Sequence, residues 1–464
     1  MRTFPLIVCL LLAISCPQFL CGQQPSMQEK YKIVGDGMTD DTAAIQAAVD
    51  AGVSELRFGK GTYRISKTIT IDLSKVERTA ISGSGVARFR MEGAGPAFRF
   101  VGSHDGTAAP HTIRPDVWNR ESSPMVDGIE IVGKHPLADG ISASGTMQLT
   151  ITRVVVRDAR HGIHLTDRNR NVIISECHLY DNHGIGVFMD RLNLHQINLT
   201  NCHISYNDGG GVVARNSEIR NLHIGTCDIE GNMGGPDAPP SANVDLDSTN
   251  SSVAEIAIVG CTIQHSHDAK HSANIRINGE STKRPFTDET RHGHVTIASN
   301  VLSDVQVNIE LKNVRGATIS GNTIWKGYQR NLVAKNCQSI VMTGNSFDRN
   351  PRYHYGDGRE AKRGVIFTNC KDCTLSGNQL NGIVHHEAAM VFRQCQRINA
   401  NGLSILDYGQ VGLLLQEVVD SQFSGCLIRD DRKSADGISI RLVDVARTKV
   451  NNPNVSHQVI ESSP

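Results

Sequence analysis

Two stretches decide the fold: ISECHLYDNHGIGVF at 174–188 and LTNCHISYNDGGGVV at 199–213. Laid one over the other, they put Cys177 above Cys202, 25 residues on. Each runs through an apolar alternation, a Cys pivot, an apolar residue and a polar turn, and then a second alternation. Period-two alternation between Gly, Asn and Asp turns is the pattern of short strands. The line recurs in IGTCDIEGN (224–232), IVGCTIQHS (258–266), ISGNTIW (319–325), MTGNSFD (342–348) and LSGNQL (375–380). Its pivots are Cys177, Cys202, Cys227, Cys261, Asn300, Asn322, Asn345, Asn378, Asn401 and Cys426, mostly 22 to 25 residues apart, with steps of 34, 39 and 33 that read as a coil plus a loop insertion. No such repeat buries its apolar side alone, so successive coils must stack. The repeats therefore predict an all-β, single-stranded parallel β-helix, a solenoid in which like residues lie about 4.8 Å apart on neighbouring coils.

In that stack the Asn pivots form an internal amide ladder, and the Cys pivots read as small buried hydrophobes on the same line. Nine cysteines remain beyond residue 22, an odd number that cannot all pair. The lone Cys370-x-x-Cys373 has no second pair at zinc spacing. The 43 glycines and few aromatics suit many short turns, and the length of 464 residues counts coils and not domains. Forty-seven basic and 47 acidic side chains cancel, which removes the global positive field that a nucleic-acid partner would need.

Residues 1–22 carry Arg2, an apolar run from Phe4 to Ile14 and polar Gln23 beyond, the layout of a secretory signal. The expectation is export to the extracellular or periplasmic space, with a lipid anchor at Cys16 as the less favoured alternative and no membrane-spanning segment in the mature chain. At 23–75 an N-terminal cap and first coil are expected. Thr39, Asp40 and Asp41 offer N-caps, and Ala43, Ala44, Ile45, Ala47, Ala48 and Val49 offer an apolar helical face that can cover the open end of the stack. The β-helix is then expected over 76–455 and a tail over 456–464.

The run Val34-Gly35-Asp36-Gly37-Met38-Thr39-Asp40-Asp41-Thr42-Ala43-Ala44-Ile45-Gln46, followed by Leu56, Phe58 and Gly61-Thr62-Tyr63, resembles the opening of the pectate-lyase superfamily module. Rhamnogalacturonases, glycan epimerases and phage tailspike-type proteins share that module. The resemblance implies a right-handed helix with a short capping α-helix and a substrate groove along the outer face of one parallel sheet.

With apolar residues turned inward, the strand after each turn presents His164 and Thr166, Phe188 and Asp190, Val213 and Arg215, Asp245 and Asp247, Arg276 and Asn278, Asn308, Glu310 and Lys312, then Val333 and Lys335, and Ile366 and Thr368. Acids lie beside bases in the middle coils, and the coils beyond about 330 are blander. Asp245 and Asp247 share a strand face about 6.5 to 7 Å apart at Cα. Glycoside hydrolysis needs two carboxyl groups at that scale, and crowding of like charges raises one pKa to make the acid. Asp190 and Glu310 are reserves. Arg276, Arg215, Lys312, Asn278, His164 and Phe188 are expected to bind substrate or tune the pair. A plain solvated strand face is the competing explanation. His183 and Asp208, in a column of Asp or His before Gly with Asp139 and His161, read as turn residues or as a base and its orienter. Insertions at 231–242, 265–273 and 279–294 flank the Asp245 and Arg276 strands. Their histidines (His265, His267, His271) read as polar loop residues, and no metal site is expected.

Asn243-Val244-Asp245 and Arg276-Ile277-Asn278 resemble parts of the polygalacturonase motifs without completing the set. The expected function is cleavage of an acidic polysaccharide by paired carboxylates, with no cofactor. Two alternatives stand beside it. One is a lyase or uronate epimerase, with Ca²⁺ held by Asp190, Asp245 and Asp247 and Arg276 taking the proton. The other is a non-catalytic glycan-binding surface protein. Oligomeric state is left open.

Overall fold

A computed structural model describes residues 25–265, 267–283, 287, 292–348, 361–432 and 436–462. The expected signal at 1–22, with Cys16, lies outside the described residues, as does part of the 279–294 insertion. Strands pair in parallel with those one coil earlier and one coil later, and the ladder runs the length of the chain. Each coil contributes to three sheets. The groove sheet contains Gly210–Arg215, Ala242–Asp247, Ala273–Asn278 and Val305–Lys312. The second sheet contains Glu218–Gly225 and Ser252–Val259. The third contains His203–Ser205, Asp228–Glu230 and Thr262–Gln264. Single left-handed residues turn the corners, as at Arg191, Asn201 and Tyr206, with φ of 48°, 52° and 53°.

Alternation decides which side chains fill the core. Val212, Val244, Ile275, Ile309 and Leu332 stack in register inside the groove sheet, all essentially inaccessible. Each such side chain contributes about 1.5 to 3 kcal/mol by leaving water, and no coil could collect that contribution without its neighbours.

The pivots form the expected internal ladder. The Asn300, Asn322 and Asn345 amides each donate to the Oδ1 of the next, ending at Asn378, over 3.0, 2.9 and 2.8 Å. Asn401 does not join it. It is exposed, and the register of Gln379 with Ser404 places Leu403 on the line. The nine described cysteines are buried and unpaired. Cys177, Cys202, Cys227 and Cys261 stack on the pivot line, and hydrogen bonding between neighbouring thiols, with burial, pushes Cys202 and Cys227 up to about 12.

A second amide ladder runs along the turn that leads into the groove sheet. Asn182, Asn207, Asn232, Asn243, Asn274, Asn308 and Asn331 form an unbroken series of amide-to-amide bonds of 2.7 to 2.9 Å. Asn308 had been expected outward, but it is fully buried, donating to the Trp325 carbonyl and to Asn331. The ladder changes column midway. Gly162, Gly186 and Gly211 stand in register with Asn243. A Cβ on Gly186 or Gly211 would lie 3.1 or 3.0 Å from the amide nitrogen of Asn207 or Asn232. The glycines thus leave room for asparagines reaching in from the turn, and from Asn243 onward the strand residue fills that room itself.

At the N-terminal end, helix Thr42–Asp50 buries Ile45, Ala48 and Val49, while Ala43 and Ala47 face solvent. Asp41 makes no side-chain cap. Its buried carboxylate accepts from the Val34 and Gly35 amides at 2.7 and 3.1 Å, and Asp40 accepts from the Thr42 amide at 3.0 Å. At the other end, where a tail was expected, Gln458–Ser462 pairs with Ile438–Val443 and carries the stack past 455.

Candidate functional site

The register turns the outward residues of the groove sheet into two columns. One runs His164, Phe188, Val213, Asp245, Arg276, Glu310, Val333 and Ile366. The other carries Thr166, Asp190 and Arg215, then Asp247, Asn278, Lys312, Lys335 and Thr368. Where acids and bases meet, the columns floor a cleft of about 420 Å³ lined by Arg215, Asp245, Asp247, Arg276, Asn278, Glu310 and Lys312, with Pro240 and His271 on its walls. Pro240 and His271 come from the insertions, so the loops and the charged coils do build one site.

Asp245 lies at the cleft floor, 14% exposed, with Arg215 Nη2 3.9 Å from its Oδ2. Burial raises its carboxyl pKa above the ordinary aspartate value. The Arg276 and Arg215 charges oppose that shift, while Asp247 and Glu310 add to it. Asp247 is held differently. Its Oδ1 accepts from the Thr249 amide and hydroxyl at 3.0 and 2.8 Å and from Asn278 Nδ2 at 2.9 Å. No hydrogen bond among the described residues occupies its Oδ2. Arg276 is locked in place: Nε donates to Glu310 at 2.7 Å, and its other nitrogens donate to the Ser241 and His271 carbonyls.

Two and three coils before Asp245, the Phe188 and His164 rings stack with centroids 5.1 Å apart, and His161 packs against both. Burial lowers the pKa of His164 and takes His161 down to about 4. His161 Nδ1 accepts from the Ile185 amide at 3.0 Å, as a neutral imidazole does. Asp190 pairs with Arg191 at 2.7 Å and lies 3.5 Å from His164 Nε2. The Arg215 strand separates Asp190 from Asp247, so Asp190, Asp245 and Asp247 do not converge on one point. His183 and Asp208 stand exposed at the turns, outside the cleft, and no hydrogen bond or ion pair joins them among the described residues.

The sequence did not single out Thr249, Pro240 or the Ser241 carbonyl. Only their places beside Asp247 and in the 231–242 insertion could have suggested them. A roomier cavity of about 600 Å³ lies on the second sheet, lined by Gln148, Asn171, Gln196, Asn198, Asn221 and neighbours. His223 is its sole titratable group, whereas the smaller cleft gathers three carboxyl groups, two arginines and a lysine. No helix among the described residues is long and apolar enough to cross a membrane.

This arrangement is that of a pectate-lyase-like right-handed parallel β-helix protein. Residues 29–108 match the family described as rhamnogalacturonase A/epimerase, pectate lyase-like, and residues 130–244 match the right handed beta helix region. No curated protein matches the chain by sequence. Solved structures similar to it include the pre-mature bacteriophage phi29 gene product 12 (13% identity, TM-score 0.51, 94% of this chain and 56% of that one). Bacteriophage CBA120 tailspike protein 3 is another (15%, TM-score 0.43, 92% and 61%). A third is the Azotobacter vinelandii mannuronan C-5 epimerase AlgE6 A-module (15%, TM-score 0.41, 94% and 98%). The chain thus spans about three fifths of the length of the two phage proteins.

Proposed function

We propose that the protein is an exported carbohydrate-active enzyme that hydrolyses glycosidic bonds of an acidic polysaccharide laid along the groove sheet. The observation that carries this reading is the unlike treatment of two neighbouring carboxyl groups. Burial holds Asp245 toward its protonated form, whereas three hydrogen bonds orient Asp247. Environments that push two carboxyl groups apart assign the acid and the base. Asp245 donates its proton to the leaving glycosidic oxygen, and Asp247 acts as nucleophile or as base toward water. Arg215 and Lys312, with no hydrogen bond to the carboxyl pair, engage sugar carboxylates, and Arg276 positions Glu310 and the loop carbonyls. The His164 and Phe188 shelf supports a sugar ring farther along.

Elimination is less well supported. Arg276, the base it would need, is spent on Glu310 and two carbonyls, and the three aspartates that would hold Ca²⁺ are split by Arg215.

Chromatography of products from a panel of uronic-acid and neutral polysaccharides tests the reading. Asp245→Asn and Asp247→Asn should each abolish product release, and full activity in both would refute the assignment. An unsaturated, ultraviolet-absorbing product that disappears with chelator selects the lyase, and glycan binding without any product selects the non-catalytic protein.

A further inference from the structure

A second cluster of chemistry-bearing side chains lies on the third sheet, away from the cleft. We propose that His203, Asp228 and Glu230 bind one divalent transition-metal ion, Zn²⁺ being the best match, with His265 beside Glu230 as an outer partner. His203 and Asp228 stand in register on adjacent coils, and Glu230 is two residues along the same face as Asp228. His265 follows strand Thr262–Gln264 of the coil after that, whose Gln264 is in register with Glu230. An ion here would join two adjacent coils, with His265 on the third coil behind Glu230.

The spacing is that of a coordination shell. His203 Nε2 is 3.6 Å from Asp228 Oδ2 and 3.8 Å from Glu230 Oε1, and His265 Nε2 is 3.4 Å from Glu230 Oε2. One ligand atom each from His203, Asp228 and Glu230 lies within 4.8 Å of the others. These separations are long for charge-assisted hydrogen bonds, which close to about 2.7 to 2.9 Å. Ligand atoms about 2.0 to 2.2 Å from a tetrahedral zinc stand roughly 3.3 to 3.6 Å from one another.

Two further observations point to a cation. His203 Nε2 and Asp228 Oδ1 are shielded from solvent yet have no hydrogen-bond partner, although the side chains that carry them are nearly half exposed. Buried polar atoms are ordinarily satisfied. Second, no lysine or arginine among the described residues pairs with Asp228 or Glu230, so two carboxylates lie side by side with only imidazoles for company. Gln264 Nε2 donates to Glu230 Oε2 at 3.4 Å, and the His178 ring meets His203 edge-on at 5.8 Å. Both hold the ligands in place, as outer partners of metal ligands do. Two carboxylates would balance the charge of the ion, and the His203 imidazole favours zinc over calcium or magnesium.

The test is calorimetric titration of the untagged full chain with ZnCl₂ after EDTA treatment and dialysis, alongside Co²⁺ absorption spectra. Expected are one equivalent bound, the visible bands of tetrahedral Co²⁺, and a rise in thermal midpoint with zinc. His203→Ala combined with Asp228→Asn should weaken binding roughly 100-fold or more and remove the bands, while His294→Ala, an exposed histidine of the second sheet, should change neither. Absence of uptake by the parent chain would overturn the proposal. So would binding undiminished in a double variant that melts cooperatively.

Discussion

The groove sheet has two halves built on one backbone plan and finished differently. From His164 to Lys312 its outward columns carry Asp190 and then, around a cleft, Arg215, Asp245, Asp247, Arg276 and Glu310. From Val333 onward the column that held Asp245 continues as Ile366, Val391 and Leu414. There Val391, Leu414, Ala388 and Val411 close on one another as a small apolar cluster on the outside of the coil. Strand pairing runs through both halves without a break in kind, so the backbone does not distinguish them. The distal face buries Val391 and Leu414 and gains stability there. The middle face keeps its charges partly open to water. The same scaffold thus separates a stretch that packs on itself from one that presents charge.

That contrast can be broken most sharply by matched substitutions. Asp247→Asn should cost about 10³-fold in turnover, whereas Thr368→Asn, in the same column four coils on, should leave it unchanged. Equal losses in a polysaccharide-cleavage assay would erase the distinction. Next in size, Asn274→Ala removes one member of the second ladder and strands its buried partners Asn243 and Asn308. About 3 kcal/mol should be lost in urea unfolding. Cys395→Ala in the distal coils, where the thiol meets the Phe367 and Arg393 carbonyls and the Cys370 thiol, should cost about 1 kcal/mol.

A pH profile sharpens the middle half. Asp245 must be protonated to donate, and burial lifts its pKa. Activity should therefore fall as pH rises through a value above the ordinary aspartate range. Because Arg215 works against that shift, Arg215→Met should move the alkaline limb to higher pH and Arg215→Lys should leave it in place. A limb moved downward by Arg215→Met would contradict the role given to Asp245. The smallest effect is a null one. With Cys202 and Cys227 buried and pushed up to about 12, iodoacetamide at pH 8 should label neither of them until the chain unfolds.

Much of this was written in the pattern of the chain. Strand alternation, the pivot line and the capping helix were all visible because each depends on local periodicity, and the clustering of Asp245, Asp247, Arg276 and Glu310 followed from extending that alternation across coils. Asn401 misled because an asparagine beside a glycine marks a turn whether or not the amide points inward, and in Asn401-Gly402-Leu403 the leucine holds the line. Asn308 misled because alternation fails where a strand bends into its turn. The second ladder escaped notice although Asn182, Asn207 and Asn232 stand 25 residues apart, since its later members enter from the strand and break the count. The third-sheet histidines and acids were invisible for another reason. Each looks like an ordinary solvated residue on its own coil, and only the stacking of three coils brings them together.

The bond between Asn232 and Asn243, 2.8 Å long and 11 residues apart in sequence, joins the two ends of the loop that carries Pro240 to the cleft. Everything between them can lengthen, shorten or change composition while the neck stays shut, because closing a longer loop costs only logarithmically more. A lineage of such proteins could therefore reshape the wall of that cleft by rewriting the loop, with the coils beneath inheriting nothing of the change.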